Sequence, residues 1–299
     1  MKQKIIQSLY YYYWLIRTWH LRKDFPNYRI MSIEETIDQI VTHQKSISRL
    51  GDADFLLLLE ERDVSYQILT PEIAQKLKEV LACRDSRFLI GLPDTINTQK
   101  KLSRGSKVHW KMFINNHGKR LKGFFDQNYH YGNSNMTRVY IDYADKTKSV
   151  KIFEKLKTIW QSKEVVIIEG EFTRLGVGND LLDNAKSIKR IIAPHKNAFK
   201  KYTELKEYLL RFPKENTLFL FSLGPTATIL CHELSQQDYW AVDIGNIDLE
   251  YMWMKMGATE KISVPGRYSV ETEAQKQTLE LSNEDQENYL NSIIYTIPS

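Results

Sequence analysis

The feature that most constrains the fold is a buried strand that ends in a glycine-rich, charged loop. Residues 165–180 read Val-Val-Ile-Ile-Glu-Gly-Glu-Phe-Thr-Arg-Leu-Gly-Val-Gly-Asn-Asp, and their apolar start is typical of a strand buried on both faces. The loop that follows contains Glu171 and Arg174 among glycines, and Asn179 or Asp180 is predicted to cap a following helix. In open parallel sheets, such loops beyond the carboxyl ends of strands bind ligands.

The same pattern occurs at two later points in the chain. Residues 218–230 predict a strand, a Gly224-Pro225 turn and the start of a helix, and residues 241–251 predict a short strand that ends among acidic residues. The carboxyl ends of parallel strands share one edge of the sheet, so we expect the three loops along one rim. Gly224 and Thr226 would offer backbone N–H groups to a phosphate there, although a plain strand-to-helix turn explains them equally well.

The rest of the chain alternates between helical and extended patterns, which favours an α/β fold in one domain. Helices are predicted at 33–41, 70–81, 150–161, 183–189 and 198–211, and strands at 46–51, 88–92 and 190–193. Residues 97–135 are polar, aromatic and basic, and they are interpreted as a long irregular insertion. The predicted organisation is a basic aromatic segment at 1–31 and a single domain at 32–299.

Composition excludes several classes of protein. The chain has 299 residues, a net charge of +5 and only two cysteines, Cys83 and Cys231. So mild a charge suits an anionic small ligand or a membrane surface and is too weak to argue for nucleic acid. The isolated cysteines argue against a disulfide framework or a zinc site. No apolar run approaches the roughly 20 residues that span a bilayer. We therefore expect a cytoplasmic protein.

The N-terminal segment allows two interpretations. Residues 1–23 place Tyr-Tyr-Tyr-Tyr-Trp at 10–14 between lysine and arginine residues. Tyrosine and tryptophan favour membrane–water interfaces, and basic residues favour anionic lipid, which would place the protein at the inner face of the cell membrane. The other interpretation is a helix packed on the body of the protein or on a partner subunit, and a homo-oligomer stays open.

Two acidic groups are candidates for chemistry. Asp52 and Asp54 follow a predicted strand next to Arg49, and carboxylates two residues apart on a loop can bind one hard cation such as Mg²⁺ or Mn²⁺. Asp248 and Glu250 follow the predicted 241–244 strand, and crowded carboxylates there would have raised pKa values suited to acid–base work. Surface or helix-capping roles are the alternative for both groups.

Six motifs taken together resemble the GT-D-type glycosyltransferases, a bacterial family long known as a domain of unknown function. They begin at Ser48, Asn133, Glu169, Ile188, Leu223 and Asp243, and read SRLGDAD, NSNMTR, EGEFTRLGVGND, IKRIIAP, LGPTAT and DIGNIDLEYMW. The resemblance implies a Rossmann-like three-layer sandwich with a mostly parallel sheet. It also implies a UDP-sugar donor, such as UDP-glucose, with Mn²⁺ or Mg²⁺, and transfer to a lipid-linked or protein-linked glycan acceptor in surface polysaccharide or glycoprotein synthesis.

Carried over position by position, the resemblance assigns roles to named residues. Asp52 and Asp54 fall on the metal-binding DxE motif. The chemistry of the transfer, and not the resemblance, makes Asp248 or Glu250 the carboxylate expected to take the proton of the acceptor hydroxyl. The residues expected to contact the donor are Arg49, Gly51, Arg138, Glu171, Arg174, Asn179, Gly224, Thr226 and Asn246. Among them Arg49, Arg138 and Arg174 are the cations expected to stabilise charge on the departing diphosphate.

The chain departs from the family pattern at three positions. Asp54 stands where the DxE motif has glutamate and is one methylene shorter, which would change the reach and geometry of a metal site. Asn246 stands where histidine is usual, and Met252 stands where an acid is usual. Asparagine does not titrate, so a catalytically weak or inactive nucleotide-binding or partner subunit is the second hypothesis. The third is an unrelated Rossmann enzyme, a methyltransferase or dehydrogenase, against which the incomplete GxGxxG fingerprint argues.

Overall fold

The computed structural model of the protein describes residues 2–19, 25–267 and 281–298. Its strands form one sheet in the order β1-β4-β3-β2-β8-β7-β5-β6-β9, and every neighbouring pair is parallel. The predicted α/β fold with a mostly parallel sheet is confirmed. The strands are β1 (Arg29–Ile30), β2 (Ser46–Arg49), β3 (Phe88–Leu92), β4 (His130–Asn133), β5 (Glu164–Gly170), β6 (Ser187–Ala193), β7 (Thr217–Ser222), β8 (Trp240–Asp243) and β9 (Ile293–Thr296).

Helices cover both faces of this sheet. The α-helices are α1 (Lys2–Arg17), α2 (Ile33–His43), α3 (Asp52–Leu58), α4 (Pro71–Ala82), α5 (Arg104–Leu121), α6 (Ser149–Lys157), α7 (Tyr202–Leu209), α8 (Pro225–Ser235), α9 (Ile247–Lys255) and α10 (Asn283–Ser292). Apolar side chains of α3, α4, α5, α7 and α8 share one core cluster, and those of α2, α6 and α9 share another. The predicted three-layer sandwich is confirmed.

Alternation along the central strands produces these two cores. In β7, Phe219 and Phe221 pack on the first cluster, whereas Leu218 and Leu220 pack on the second. Successive side chains of a strand point to opposite faces, so a strand buried on both sides needs an unbroken apolar run. That is why the apolar runs at 165–168 and 218–221 identified the centre of the sheet.

Two halves of the chain meet in the middle of the sheet. Strands β1 to β4 lie on one side and β5 to β9 on the other, and β2 and β8 join them. The pairing of β2 with β8 is short, with Ile47 opposite Val242. Helix α8 packs on both strands, and the Ser48 hydroxyl donates to the Thr228 carbonyl across the junction. The strand order reverses its direction here, and open α/β sheets bind ligands at such a point.

Helix ends follow local sequence signals. The Ser32 hydroxyl accepts from the Glu35 N–H at 3.1 Å, and the Glu35 carboxylate accepts from the Ser32 N–H at 2.7 Å, which is the predicted capping box. Thr70 caps α4, and Pro71 occupies its first turn, where no intrahelical donor is needed.

The prediction of an irregular insertion over 97–135 is wrong. The stretch contains the 18-residue helix α5, and β4 lies near its end. The helix buries Val108, Phe113, Ile114 and Leu121. Most of its remaining positions are polar or basic, so the apolar spacing is sparse in the sequence. Packing against the rest of the fold stabilises this helix, which local propensity alone did not reveal.

The helix predicted at 183–189 is also absent. Residues 183–186 form turns, and β6 begins at Ser187, three residues before the predicted strand. The strand pairs with β5 from Glu164 opposite Ser187 to Gly170 opposite Ala193, so backbone pairing sets its length. Asn179 and Asp180 precede turns rather than a helix, and the Asn179 side chain accepts from the Leu181 N–H.

The N-terminal segment begins with α1, which packs on α5. Trp14 and Thr18 are its buried contacts with the body of the protein. Within the described ranges, no helix has both the length and the apolar character needed to cross a membrane. The division into 1–31 and 32–299 stays a prediction.

Candidate functional site

A cavity of about 810 Å³ opens at the carboxyl edge of the sheet. Residues that follow β2, β3, β4, β5, β6, β7 and β8 line it, so the loops predicted to share a rim do so. Helix α5 closes one side with Ser106, His109 and Trp110. The cavity therefore has the place in the fold at which parallel α/β sheets bind ligands.

Arg49 holds the floor of the cavity together. Its Nη2 lies 3.0 Å from Asp243 Oδ1, its Nε donates to the Asp243 carbonyl at 2.8 Å, and its Nη1 donates to the Ser134 carbonyl at 3.2 Å. Burial raises the pKa of Asp243, and the Arg49 charge and hydrogen bonds oppose that shift. The guanidinium thus ties the ends of β2 and β8 and the loop after β4 into one unit, with its charge at the cavity.

Asp52 and Asp54 lie in the first turn of α3, not on a loop or a strand. Asp54 is buried, and its carboxylate accepts from the Gly51 N–H at 3.0 Å and from the Thr228 hydroxyl at 3.1 Å. Burial raises the pKa of Asp54 to about 7. Asp54 therefore works as the cap of α3 and as a tie to α8.

Asp52, in contrast, presents its carboxylate to the open cavity, with 47% of its side chain exposed. Its Oδ2 lies 2.9 Å from His109 Nε2. Burial would raise the pKa of Asp52, but the hydrogen bond and charge of His109 bring it below the ordinary value. Among the described residues, no three His, Cys, Asp or Glu side chains group as a metal site. A cation clamped between Asp52 and Asp54 does not fit, whereas a cation on Asp52 completed by a ligand's phosphates fits the donor chemistry.

The loop after β7 brings the start of α8 to the cavity. Gly224 has φ +54°, and a Cβ there would lie 2.5 Å from the Tyr66 ring, so the position needs glycine. Tyr66 and Gly224 line the cavity together. Thr226 is fully buried, and its hydroxyl has no hydrogen-bond partner in the described part of the chain. Of the two residues predicted to meet a phosphate, Gly224 is the one at the cavity surface.

A histidine–carboxylate pair stands where β5 and β6 end. His195 Nδ1 lies 3.1 Å from Glu171 Oε2, and the Phe172 ring packs on the imidazole at 4.8 Å between centroids. His195, Phe172 and Gly170 line the cavity. Glu171 was predicted from its loop to contact the donor, and the structure makes it the partner of His195 instead.

Arg174 and Asn179 belong to the structure of the same loop. The Arg174 guanidinium donates to the Gly266 carbonyl at 3.4 Å and lies 5.7 Å from the Tyr289 ring centroid. Asn179 Nδ2 donates to Asp248 Oδ1 at 2.7 Å. Neither residue lines the cavity, so their predicted contacts with the donor are not supported.

Asp248 and Glu250, the predicted catalytic carboxylates, are buried away from the cavity. Asp248 pairs with Arg267 and accepts from the Gly176 N–H at 3.0 Å. Glu250 Oε2 accepts from the N–H groups of Tyr140 and Ile141 at 2.9 and 3.0 Å, and burial raises its pKa. Their exposed fractions are 3% and 0%. Each carboxylate, in the first turn of α9, binds backbone N–H groups of a neighbouring loop. The prediction that either one reaches an acceptor hydroxyl does not fit this geometry.

Three other predicted residues line the cavity. Gly51 precedes α3, Arg138 follows β4, and Asn246 precedes α9. Arg138 Nε donates to Asp142 Oδ2 at 3.1 Å, and Lys261 Nζ lies 4.0 Å from Asp142 Oδ1. With Arg49 and Gly224, these three are the residues predicted to contact the donor that lie at the cavity, and their contact with a donor stays a prediction.

Sequence reasoning missed His109, Trp110, Tyr66 and His195. Two of these lie on α5, within the stretch predicted to be irregular, and a histidine and a tryptophan side by side in a basic segment were a usable signal. His195 follows Pro194 directly at the end of a predicted strand, so its position on the rim could have been inferred.

Comparisons with known proteins agree with the geometry. The family model described as "Glycosyltransferase GT-D fold" matches residues 47–272. The chain is 38% identical over 245 residues to "Probable glycosyl transferase Gly" of Streptococcus gordonii, which covers 81% of this chain and 35% of that protein. It is 34% identical over 253 residues to "Glycosyltransferase GlyD" of Streptococcus pneumoniae, which covers 84% of this chain and 31% of that protein. The chain thus spans about a third of the length of these relatives.

Solved structures show the same fold over nearly the whole chain. One, described as "The highly conserved domain of unknown function 1792 has a distinct glycosyltransferase fold", is 32% identical with a TM-score of 0.87 and covers 94% of this chain and 100% of that one. "A New Glycosyltransferase (DUF1792) from Streptococcus sanguinis" is 34% identical with a TM-score of 0.84, over 91% and 100%. The sheet order, the cavity and these matches lead to one conclusion: the chain belongs to the GT-D glycosyltransferase family.

Proposed function

We propose that the cavity binds a nucleoside diphosphate sugar and transfers its sugar to a glycan hydroxyl. The observation that carries this proposal is the convergence of cations, a helix start and one open carboxylate on a single cavity at the carboxyl edge. Arg49, Arg138 and the start of α8 favour a diphosphate there. Asp52 supplies the carboxylate.

The donor we propose is a UDP-hexose with Mg²⁺ or Mn²⁺. Asp52 would hold the cation, because its carboxylate is open to the cavity, where it contacts the His109 imidazole. When bound, such a cation offsets the negative charge that builds on the departing diphosphate. Arg49 contributes a fixed charge for the same purpose, since three hydrogen bonds hold its side chain in place before any ligand arrives.

His195 is the base that best fits the acceptor side. A neutral imidazole that donates from Nδ1 to Glu171 has Nε2 as its proton-accepting atom, and the carboxylate stabilises the imidazolium that forms. In the transfer, the acceptor oxygen bonds to the anomeric carbon while the bond from that carbon to the diphosphate oxygen breaks. The acceptor's proton passes to His195. Removal of such a base typically lowers the rate about 10²–10⁴-fold.

The acceptor we propose is a lipid-linked or protein-linked glycan, assembled at the cytoplasmic side of a bacterial membrane. What supports this acceptor is the family resemblance, and the names of the two streptococcal relatives support glycosyl transfer in general.

Donor binding is tested by thermal shift of the purified protein with UDP, S-adenosylmethionine and NAD, each with and without Mn²⁺. We expect stabilisation by UDP with Mn²⁺, of about 2.7 kcal/mol at one hundred times the dissociation constant. Asp52→Asn should remove most of the stabilisation by UDP that depends on Mn²⁺. Asp38→Asn, which removes an exposed carboxylate from α2, is the matched control and should respond as the parent does. Stabilisation by S-adenosylmethionine or NAD alone would refute the proposal.

Transfer is tested by measuring UDP, GDP and TDP release from a panel of donors with a glycan acceptor. His195→Gln should lower the maximal rate at least about a hundredfold with donor affinity unchanged, and Glu171→Gln should lower it less. Parent-like rates in both variants would exclude His195 as the base. UDP binding without release from any donor would favour the inactive-subunit hypothesis, which Asn246 motivates.

A further inference from the structure

The outward face of α1 is apolar although it is exposed. Ile6, Leu9 and Ile16 are 65%, 65% and 76% exposed, and Trp19, two residues beyond the end of the helix, is 78% exposed. Tyr12 and Tyr13 are about half exposed, and Tyr10 is also about half exposed although its hydroxyl reaches α5. The opposite side of the helix, with Trp14 and Thr18, is already buried against the protein. A helix that is apolar on both sides needs a second surface to pack against. A contiguous exposed apolar patch of this kind marks an interaction surface.

The helix that α1 packs on is basic. Residues 2–19 and 97–125 contain 11 lysine and arginine residues and no aspartate or glutamate. The remaining residues contain 31 basic and 37 acidic side chains, so the positive charge of the molecule is concentrated in these two stretches. The basic side chains there that are exposed to solvent are Arg17, Lys100, Lys101, Arg104, Lys119, Arg120 and Lys122.

Contacts between α1 and α5 hold the apolar and basic groups in one surface. The Tyr10 hydroxyl lies 3.2 Å from Met112 Sδ, and the Arg104 guanidinium lies 5.7 Å from the Tyr11 ring centroid. Thr18 at the end of α1 lines a pocket together with Lys100 and Lys111. The two helices therefore present aromatic and aliphatic side chains beside a field of positive charge.

We infer that α1 and α5 dock the protein on an anionic lipid surface. Tyrosine and tryptophan rings are stable at the boundary between headgroups and acyl chains, and lysine and arginine gain about 1 kcal/mol each near anionic lipid. The alternative is that the same face of a second copy packs on this surface. Such a dimer would bring together two basic surfaces without acidic residues, and like-charge repulsion disfavours it. This inference does not depend on the reaction that the cavity catalyses.

Docking through α1 and α5 would fix the position of the cavity relative to the lipid surface. Helix α5 contacts α1 with one side, and its residues Ser106, His109 and Trp110 line the cavity. A protein lying on lipid through α1 and α5 would therefore have its cavity next to the lipid surface.

The inference is tested by sedimentation of the full-length protein with vesicles. We expect binding to phosphatidylcholine vesicles that contain about one third phosphatidylglycerol, little binding to pure phosphatidylcholine, and weaker binding at high salt. Lys100→Gln with Lys101→Gln should weaken binding about thirtyfold, from the charge of two basic residues. The matched control is Lys151→Gln with Lys200→Gln, which removes two exposed lysines outside this surface and should bind severalfold more tightly than the first pair.

A second variant tests the apolar part. Ile16→Ser with Trp19→Ser changes only side chains that are more than three-quarters exposed, so the fold should persist. We expect vesicle binding to be lost and UDP-dependent thermal stabilisation to be unchanged. Equal binding to both vesicle types, or none, would overturn the inference. A parent dimer that this variant converts to a monomer, without vesicle binding, would assign the surface to a second copy instead.

Discussion

The fixed position of Arg49 makes Gly245→Ala an informative substitution. Gly245 has φ +46°, and a Cβ at this residue would lie 1.9 Å from Arg49 Nη2. The substitution therefore has two costs. The left-handed backbone costs a non-glycine residue about 1–2 kcal/mol. The displaced guanidinium also leaves Asp243 buried without its partner, and breaking a buried pair costs about 3–5 kcal/mol.

Gly257→Ala separates the two costs. Gly257 also has a positive φ, +63°, but a Cβ there meets nothing within 4 Å. Urea unfolding of both variants, followed by tryptophan fluorescence, should show Gly257→Ala destabilised by about 1–2 kcal/mol. Gly245→Ala should lose about 3–5 kcal/mol more, together with UDP binding. If the two variants unfold within about 1 kcal/mol of each other, the guanidinium is not held in place by these contacts, and its proposed preorganised role is refuted.

Two further predictions follow from buried groups. Glu250→Ala should destabilise the fold, because each of the two N–H groups left without an acceptor costs about 1–3 kcal/mol, whereas Glu250→Gln keeps an acceptor oxygen and should cost less in urea unfolding. A sharp loss of transfer in a fully stable Glu250→Gln would instead restore its catalytic assignment. Burial lowers the pKa of His232 below its ordinary value of 6.5, so its contribution to stability is present above that pH and is lost as the pH falls. His232→Gln should therefore lose less stability than the parent between neutral and mildly acidic pH, and parallel urea-midpoint curves would contradict this.

Sequence patterns predicted the central strands and the helix caps because both depend on residues that are close together in the chain. Unbroken apolar runs at 165–168 and 218–221 require burial on both faces, and Ser32 and Thr70 cap helices through neighbouring N–H groups. The site was harder to predict, since its groups act through distant partners. Nothing adjacent to Asp54 reveals that Thr228 binds its carboxylate, and nothing near Asp248 reveals Arg267. Polar residues at a strand end could be assigned to the rim from the sequence. Whether their side chains point into the cavity or into the protein interior depends on tertiary contacts.

The junction of β2 with β8 bears on the order in which the chain folds. Each half of the sheet is built largely from strands close in sequence, and the two halves meet where the backbone pairing is short. Loop closure over nearly 200 residues is entropically costly, so contacts within each half are favoured to form first. The ligand cavity lies across this late contact. The last step of folding and the assembly of the binding surface would then be the same event, and a partly folded chain would have no competent site.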